Sequence, residues 1–157
     1  MSDEYEFYQG VVLRQLVVNS ELSLIMRPFL REGRINAFII NGKVGVFIKH
    51  SSKRMTPWRF TFTLEQAADL LDLEGVCFDS FVVFVCGEDG LVTIDVGALH
   101  QIVTFDEREH AWVRIERPPR AQYTVSGNRA TLPNKIANGT WPIHELILAK
   151  LRDRRAS

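Results

Sequence analysis

The dipeptide Asn41-Gly42 is the feature that most constrains the fold of this chain. It separates two apolar segments, "INAFII" and "KVGVFIKH". A type I′ turn requires positive φ at both central residues, and Asn-Gly is a preferred pair for it. The sequence therefore predicts an antiparallel β-hairpin here. A two-residue turn sets a register in which Asn36 lies opposite Phe47, so that both side chains share one face with Lys49.

The segment after the hairpin predicts a further strand and then a helix. "WRFTFT" alternates strictly, which places Trp58, Phe60 and Phe62 on one face of a strand, and we expect that face to be core. Thr63 and Gln66 have the spacing of a capping box and predict the start of a helix. We expect the apolar stripe of this helix to consist of Leu64, Ala67, Ala68 and Leu71.

The order of the predicted elements indicates an α/β fold. Residues 4–19 and 143–155 have the pattern of helices, and "SFVVFVCG" is apolar throughout, as in a strand covered on both faces. A strand meander followed by a helix and a buried strand predicts a mixed β-sheet flanked by helices. We expect a single domain, residues 1–157, with a core at about residues 5–105 and a small β-rich C-terminal extension at about 106–157.

Composition narrows the expected cellular setting. The 157-residue chain has two cysteines, its apolar runs are too short to cross a bilayer, and its first residues lack the features of a secretory signal. We therefore expect a cytoplasmic protein with reduced thiols and no membrane partner.

The local distribution of charge carries the functional signal. The chain has 19 basic and 19 acidic residues, yet residues 33–64 hold six Lys or Arg and no Asp or Glu. Such an uncompensated positive segment favours binding to the phosphates of DNA or RNA. The alternatives are a solvated strand end and a site for another anion. The candidate nucleic-acid contacts are Lys49, His50, Lys53, Arg54 and Arg59, with Arg117 and Arg120 beside a double proline.

The order of elements resembles the restriction-endonuclease-like fold of the PD-(D/E)XK nuclease superfamily. The resemblance consists of a helix, a β-hairpin, a strand that ends in Lys49, and a helix leading to a buried strand. In that superfamily two acidic side chains hold a divalent metal, and a Lys two residues after the second acid positions or activates the attacking water. The resemblance maps these positions onto Asn36, Phe47 and Lys49 of this sequence. Neither Asn36 nor Phe47 carries a carboxylate, the group that hard cations such as Mg²⁺ prefer.

The resemblance therefore implies a nuclease-like core with a degenerate active site. Our leading hypothesis is a non-catalytic nucleic-acid-binding or accessory subunit of a bacterial nucleic-acid-processing or defence assembly, which needs no cofactor. One alternative is an active Mg²⁺-dependent nuclease with relocated acids, for which Glu65 and Asp95 are candidates. The other alternative is a protein–protein interaction domain whose basic face meets an acidic partner. The stretches "FYQG", "FIKHSSKRMTPWRFTFT", "FVCGEDG" and "QYTVSG" also resemble a family of short bacterial proteins to which no activity is assigned.

Overall fold

The computed structural model describes residues 3–106, 110–136 and 143–152. The helices are α1 (Asp3–Asn19), α2 (Leu64–Val76), α3 (Val96–Ile102) and, after a π-helical turn (Ile143–Leu148), α4 (Ala149–Arg152). The strands are β1 (Met26–Arg31), β2 (Arg34–Ile40), β3 (Val44–Ser51), β4 (Trp58–Phe62), β5 (Asp79–Cys86), β6 (Gly90–Asp95), β7 (Ala111–Glu116) and β8 (Thr124–Gly127). None of the helices in the described ranges is long and apolar enough to cross a bilayer.

Five of the strands form a mixed main sheet in the order β1-β2-β3-β5-β6. Strands β1, β2 and β3 are antiparallel neighbours, β3 and β5 run parallel, and β6 is antiparallel to β5. A parallel pair requires a crossover connection, which here consists of β4 and α2. The predicted α/β class with a mixed sheet and flanking helices is thus confirmed.

The main sheet separates two hydrophobic cores. On one face, Val12 and Leu16 of α1 and residues of the C-terminal helical segment pack against Val46 and its neighbours. On the other face, α2, α3 and a second, smaller sheet pack against Phe47 and its neighbours. The segment Phe81–Cys86 of β5 is buried throughout and contributes to both cores, as its unbroken apolar run predicts.

The smaller sheet, which we call the small sheet, joins distant parts of the chain. Strand β4 pairs antiparallel with β7, and β7 pairs antiparallel with β8. The alternation predicted for β4 is confirmed, because Trp58, Phe60 and Phe62 are at most 2% exposed and lie in the core. Their apolar face meets the main sheet together with the buried side chains of β7 and β8. Strands β7 and β8 lie in the segment that we expected to form a C-terminal extension. They pair with β4 and so complete the small sheet.

The turn at Asn41-Gly42 forms as predicted, but the predicted register is wrong by one residue. Both residues have positive φ, 52° and 70°, and the N–H of Lys43 donates to the carbonyl of Ile40 at 3.1 Å. The ladder nevertheless pairs Ile40 with Val44, so Lys43 remains in the turn. Its carbonyl accepts a hydrogen bond from the N–H of Phe78 at 3.0 Å, which ties the turn to the start of β5.

This register changes which side chains share a face of the hairpin. The last pair of the β2–β3 ladder is Ala37 with Phe47, and both side chains lie in the core beneath α2. Beyond this pair the register between β1 and β2 shifts by one residue, so simple alternation does not place Asn36. Its side chain donates to Asp69 of α2, and that of Lys49 donates to Gln66 of the same helix.

Helix α2 begins at the predicted capping box but buries a different face from the predicted one. Thr63 Oγ1 accepts a hydrogen bond from the N–H of Gln66 at 3.1 Å, and Gln66 Oε1 accepts one from the N–H of Thr63 at 3.1 Å. The helix packs Leu70 and Leu73 on the sheet because Gly45 leaves room there: a Cβ at that position would stand 2.8 Å from Leu73 Cγ. Most of the predicted stripe is consequently exposed, namely Leu64, Ala68 and Leu71.

Candidate functional site

Strand alternation separates the cations that the sequence groups together. Lys49 and His50 are consecutive residues near the end of β3, so their side chains leave the sheet on opposite faces. Lys49 contacts β4 and α2, whereas the ring of His50 lies against α1. Lys53 and Arg54 follow in a loop, and Arg59 lies on β4. The predicted cluster is therefore not one continuous patch.

Lys49 borders a small pocket and has neutral hydrogen-bond partners. Its Nζ donates to the carbonyl of Thr61 at 2.7 Å and to Gln66 Oε1 at 2.8 Å. The adjoining pocket, about 170 Å³ in volume, is also lined by Tyr5 and His50. Burial lowers the pKa of Lys49 from 10.5 to about 8. Two of its three N–H groups thus hold β3 against β4 and α2.

His50 is held against two tyrosines of α1. Its ring stacks on Tyr8, with centroids 4.7 Å apart and planes inclined by 18°, and on Tyr5 at 5.4 Å. Burial lowers the pKa of His50, Glu4 at 4.0 Å raises it, and Lys49 lowers it again. Together these effects leave the pKa of His50 below its ordinary value of 6.5. The ring is therefore mostly uncharged at neutral pH and contributes little positive charge for binding a phosphate.

A second polar network links α1, β2 and α2 around one buried carboxylate. Asp69 of α2 is 4% exposed. Arg34 donates to both of its oxygens, from Nε at 3.1 Å and from Nη2 at 2.9 Å, and Asn36 Nδ2 donates to Oδ2 at 3.1 Å. Tyr5 OH in turn donates to Asn36 Oδ1 at 2.5 Å, and burial raises the pKa of Tyr5 to about 12. Asp69 is therefore neutralised by Arg34, and protein donors occupy both of its oxygens.

The three positions that the nuclease resemblance maps have different surroundings. Phe47 is fully buried in the core, whereas Asn36 and Lys49 both contact α2, through Asp69 and Gln66. Glu65 is an exposed partner of the Arg34 side chain at 3.7 Å, and Asp95 caps helix α3. Within residues 3–106, 110–136 and 143–152, no three His, Cys, Asp or Glu side chains group closely enough to hold a metal ion.

The side of the small sheet that faces away from the core combines arginines with an aromatic residue. Arg59 lies directly opposite Arg114 across the β4–β7 pair. The guanidinium carbon of Arg59 stands 4.5 Å from the centroid of the Trp112 ring, and Arg114 Nη1 donates to Glu116 at 3.1 Å. In the described part of the chain, no acidic side chain contacts Arg59. We call this surface the outer face, and its residues are Arg59, Thr61, Trp112, Arg114, Glu116, Thr124 and Ser126.

The loop before β4 carries two further cations at the end of this sheet. Lys53 and Arg54 are both exposed. The carbonyl of Lys53 accepts a hydrogen bond from the indole N–H of Trp58 at 2.8 Å, and its Nζ donates to the carbonyl of Pro57 at 2.9 Å. These bonds fix the loop to the first residue of β4, so Lys53 and Arg54 stay close to the start of that strand.

Arg117 and Arg120 have different roles. Arg117 forms a two-point ion pair with Asp89, from Nε at 2.9 Å and from Nη2 at 2.7 Å, and Tyr123 OH donates to Asp89 at 2.6 Å. Burial raises the pKa of Asp89, but these hydrogen bonds outweigh it and the pKa lies below its usual value. Arg117 thus ties the turn after β5 to the chain between β7 and β8, whereas Arg120 is exposed in a turn with φ at 62°.

Sequence reasoning missed Trp112 and the role of Asp69. The alternation in "AWVRIE" contains a usable signal, because it sends Trp112 and Arg114 to one face and Val113 to the other. The pairing of β7 with β4, which sets these residues beside Arg59, joins segments about 50 residues apart and has no local signature. Nothing in the pattern of α2 marks Asp69 as the partner of a strand arginine.

No protein-family model, curated protein or solved structure matches this chain.

Proposed function

We propose that this protein binds nucleic acid through the outer face of the small sheet and the loop before β4. The observation that carries the proposal is the placement of Arg59 directly opposite Arg114. Like charges at directly opposed positions of an antiparallel pair destabilise a sheet, so the opposition of the two guanidinium groups does not itself stabilise the fold. A phosphate chain gains from it, because two guanidinium groups on neighbouring strands can contact successive phosphates.

The electrostatics of this surface support the same partner. Glu116 offsets the charge of Arg114 in part, and the described residues place no acid on Arg59. Lys53 and Arg54 extend the positive surface at the end where β4 begins. The directly paired Arg59 and Arg114 lie well within a Debye length of each other, so their potentials add. Lys49, His50 and Arg117 are engaged within the fold and are not part of the proposed surface.

The proposed role is non-catalytic, as an accessory or binding subunit of a bacterial nucleic-acid-processing or defence assembly. The hydrogen bonds of Lys49 go to neutral groups, and the buried carboxylate of α2, Asp69, accepts hydrogen bonds from Arg34 and Asn36. We propose the likeness to the PD-(D/E)XK core on the basis of topology alone. It rests on the order of α1, a three-stranded meander, a crossover through α2, and a strand parallel to β3.

The test is a binding measurement across a salt series. The variant Arg59→Gln/Arg114→Gln removes two charges from the outer face, and Arg14→Gln/Arg27→Gln is its control because both residues are exposed on α1 and β1. With a fluorescent mixed-sequence oligonucleotide, each lost phosphate contact reduces the slope of log K against log[salt] by about 0.7 to 0.9. We expect the first variant to reduce the slope by about 1.5 and the control to leave it unchanged.

Two results would contradict the proposal. Wild-type protein that shows no binding at low salt would leave an acidic protein as the better partner for this surface. Equal slopes for the outer-face variant and the control would place the contact on another surface.

A further inference from the structure

The surroundings of Trp112 point to a specific form of nucleic acid. Its ring is only partly buried, on the same face as the opposed arginines. Its cross-strand neighbour on β4 is Thr61, a small side chain, and β8 ends at Gly127, opposite Val113. The next residue, Asn128, is turned toward Thr104, with which it exchanges two hydrogen bonds. Part of the indole therefore remains exposed, with the guanidinium of Arg59 over the ring.

The two tryptophans of the small sheet differ in a way that supports a binding role for one of them. The buried Trp58 donates its indole N–H to the carbonyl of Lys53. Within the described residues, the indole N–H of Trp112 has no protein acceptor, and its ring instead carries the guanidinium of Arg59. An Arg–Trp stack is a flat, cationic surface of the kind on which nucleobases stack.

Rigid neighbours hold this stack in position. The carbonyl of Thr61, directly across the strand pair from Trp112, accepts the hydrogen bond of Lys49. Lys49 in turn is held by Gln66 of the α2 capping box. The platform is therefore built on paired strands that are fixed from behind, which lowers the entropy that must be lost on binding.

We propose that the outer face binds single-stranded nucleic acid in preference to duplex, with one base stacked on Trp112 and the flanking phosphates on Arg59 and Arg114. This inference rests on the proposed function and specifies its substrate. A duplex hides the faces of its bases within the helical stack, whereas a single strand presents them together with its phosphates. Trp112 and Arg114 are two residues apart on β7, about 6.8 Å, so one strand can engage both.

The experiment uses the full chain and three probes of equal length: a mixed-sequence single strand, its duplex, and a strand of abasic residues with the same number of phosphates. Stacking on one aromatic side chain predicts that Trp112→Leu weakens single-strand binding by about 5- to 100-fold. The salt slope should stay unchanged because no charge is lost. Trp112→Phe should retain most of the affinity, and duplex binding should be the same for wild type and both variants.

The abasic strand keeps the test independent of any effect of the substitution on folding. Wild-type protein should bind the abasic strand more weakly than the normal single strand. The ratio of the two affinities should be about the same as the loss of single-strand affinity caused by Trp112→Leu. Equal binding of normal and abasic strands by the wild type would overturn the inference. So would a loss in Trp112→Leu that is the same for single strand and duplex. Either result leaves the proposed function standing if Arg59→Gln/Arg114→Gln still lowers the salt slope. If wild-type protein binds none of the probes, both the proposed function and this inference are refuted.

Discussion

Replacing Lys49 by Met should change how the stability of the protein depends on pH. Burial disfavours the charged form of this side chain and lowers its pKa from 10.5 to about 8. Between these values the unfolded chain holds the proton more tightly than the folded chain. The contribution of Lys49 to stability therefore rises with pH over this window and is lost again as the pH falls through 8.

The size of the effect follows from the two pKa values. Their difference corresponds to about 3 kcal/mol in the free energy of unfolding, of which about 2.5 kcal/mol develops between pH 7 and pH 10. Lys49→Met cannot gain this increment because it has no titrating group. Relative to the variant, wild-type protein should therefore become more stable by about 2.5 kcal/mol from pH 7 to pH 10.

The assay is urea unfolding of both proteins at several pH values between 7 and 10. Other groups that titrate in this range are common to the two proteins and cancel in the difference. Lys53→Met serves as a control because its side chain is exposed, and it should follow the wild-type curve. A difference between wild type and Lys49→Met that stays constant across the range would refute a buried Lys49 with neutral partners. It would also reopen the possibility that Lys49 contacts phosphate.

Two further predictions concern catalysis and affinity. The protein should not cleave DNA or RNA with Mg²⁺ or Mn²⁺, because Asp69 is neutralised by Arg34; a gel assay that shows cleavage abolished in Lys49→Ala would establish an active site with other ligands. Glu116→Gln should strengthen nucleic-acid binding about two- to fivefold at low salt, because it frees Arg114 from an exposed ion pair. Titration of a labelled oligonucleotide measures this change, and weaker or unchanged binding would contradict the role of Arg114.

Local signals in the sequence predicted much of the fold correctly. The positive φ angles of Asn41-Gly42, the capping box of α2, and the buried aromatic face of β4 each depend on residues within a few positions of one another. The register of the hairpin was missed because the deciding contact is remote. Lys43 stays in the turn through its hydrogen bond with Phe78, 35 residues later in the chain.

The candidate site shows the same division between local and remote information. The sequence selected Arg59, Lys53 and Arg54 from their acid-free surroundings, and the structure places all three on exposed surface. The sequence pattern also grouped Lys49 with these three residues. In the structure, however, the side chain of Lys49 is partly buried and donates to the carbonyl of Thr61. The position of Arg59 opposite Arg114 could not be predicted from the sequence. It depends on the pairing of β4 with β7 in the small sheet, which no local pattern indicates.

The most direct test of the central claim is to map the contact by NMR. A ¹⁵N-labelled sample is titrated at low salt with a short mixed-sequence single strand, and backbone amide and indole N–H shifts are followed. We expect the largest changes at Arg59, Thr61, Trp112 and Arg114, including the indole N–H of Trp112, and small changes along α1. Shifts confined to α1 and the pocket beside Lys49, with the small sheet unaffected, would contradict binding through the outer face.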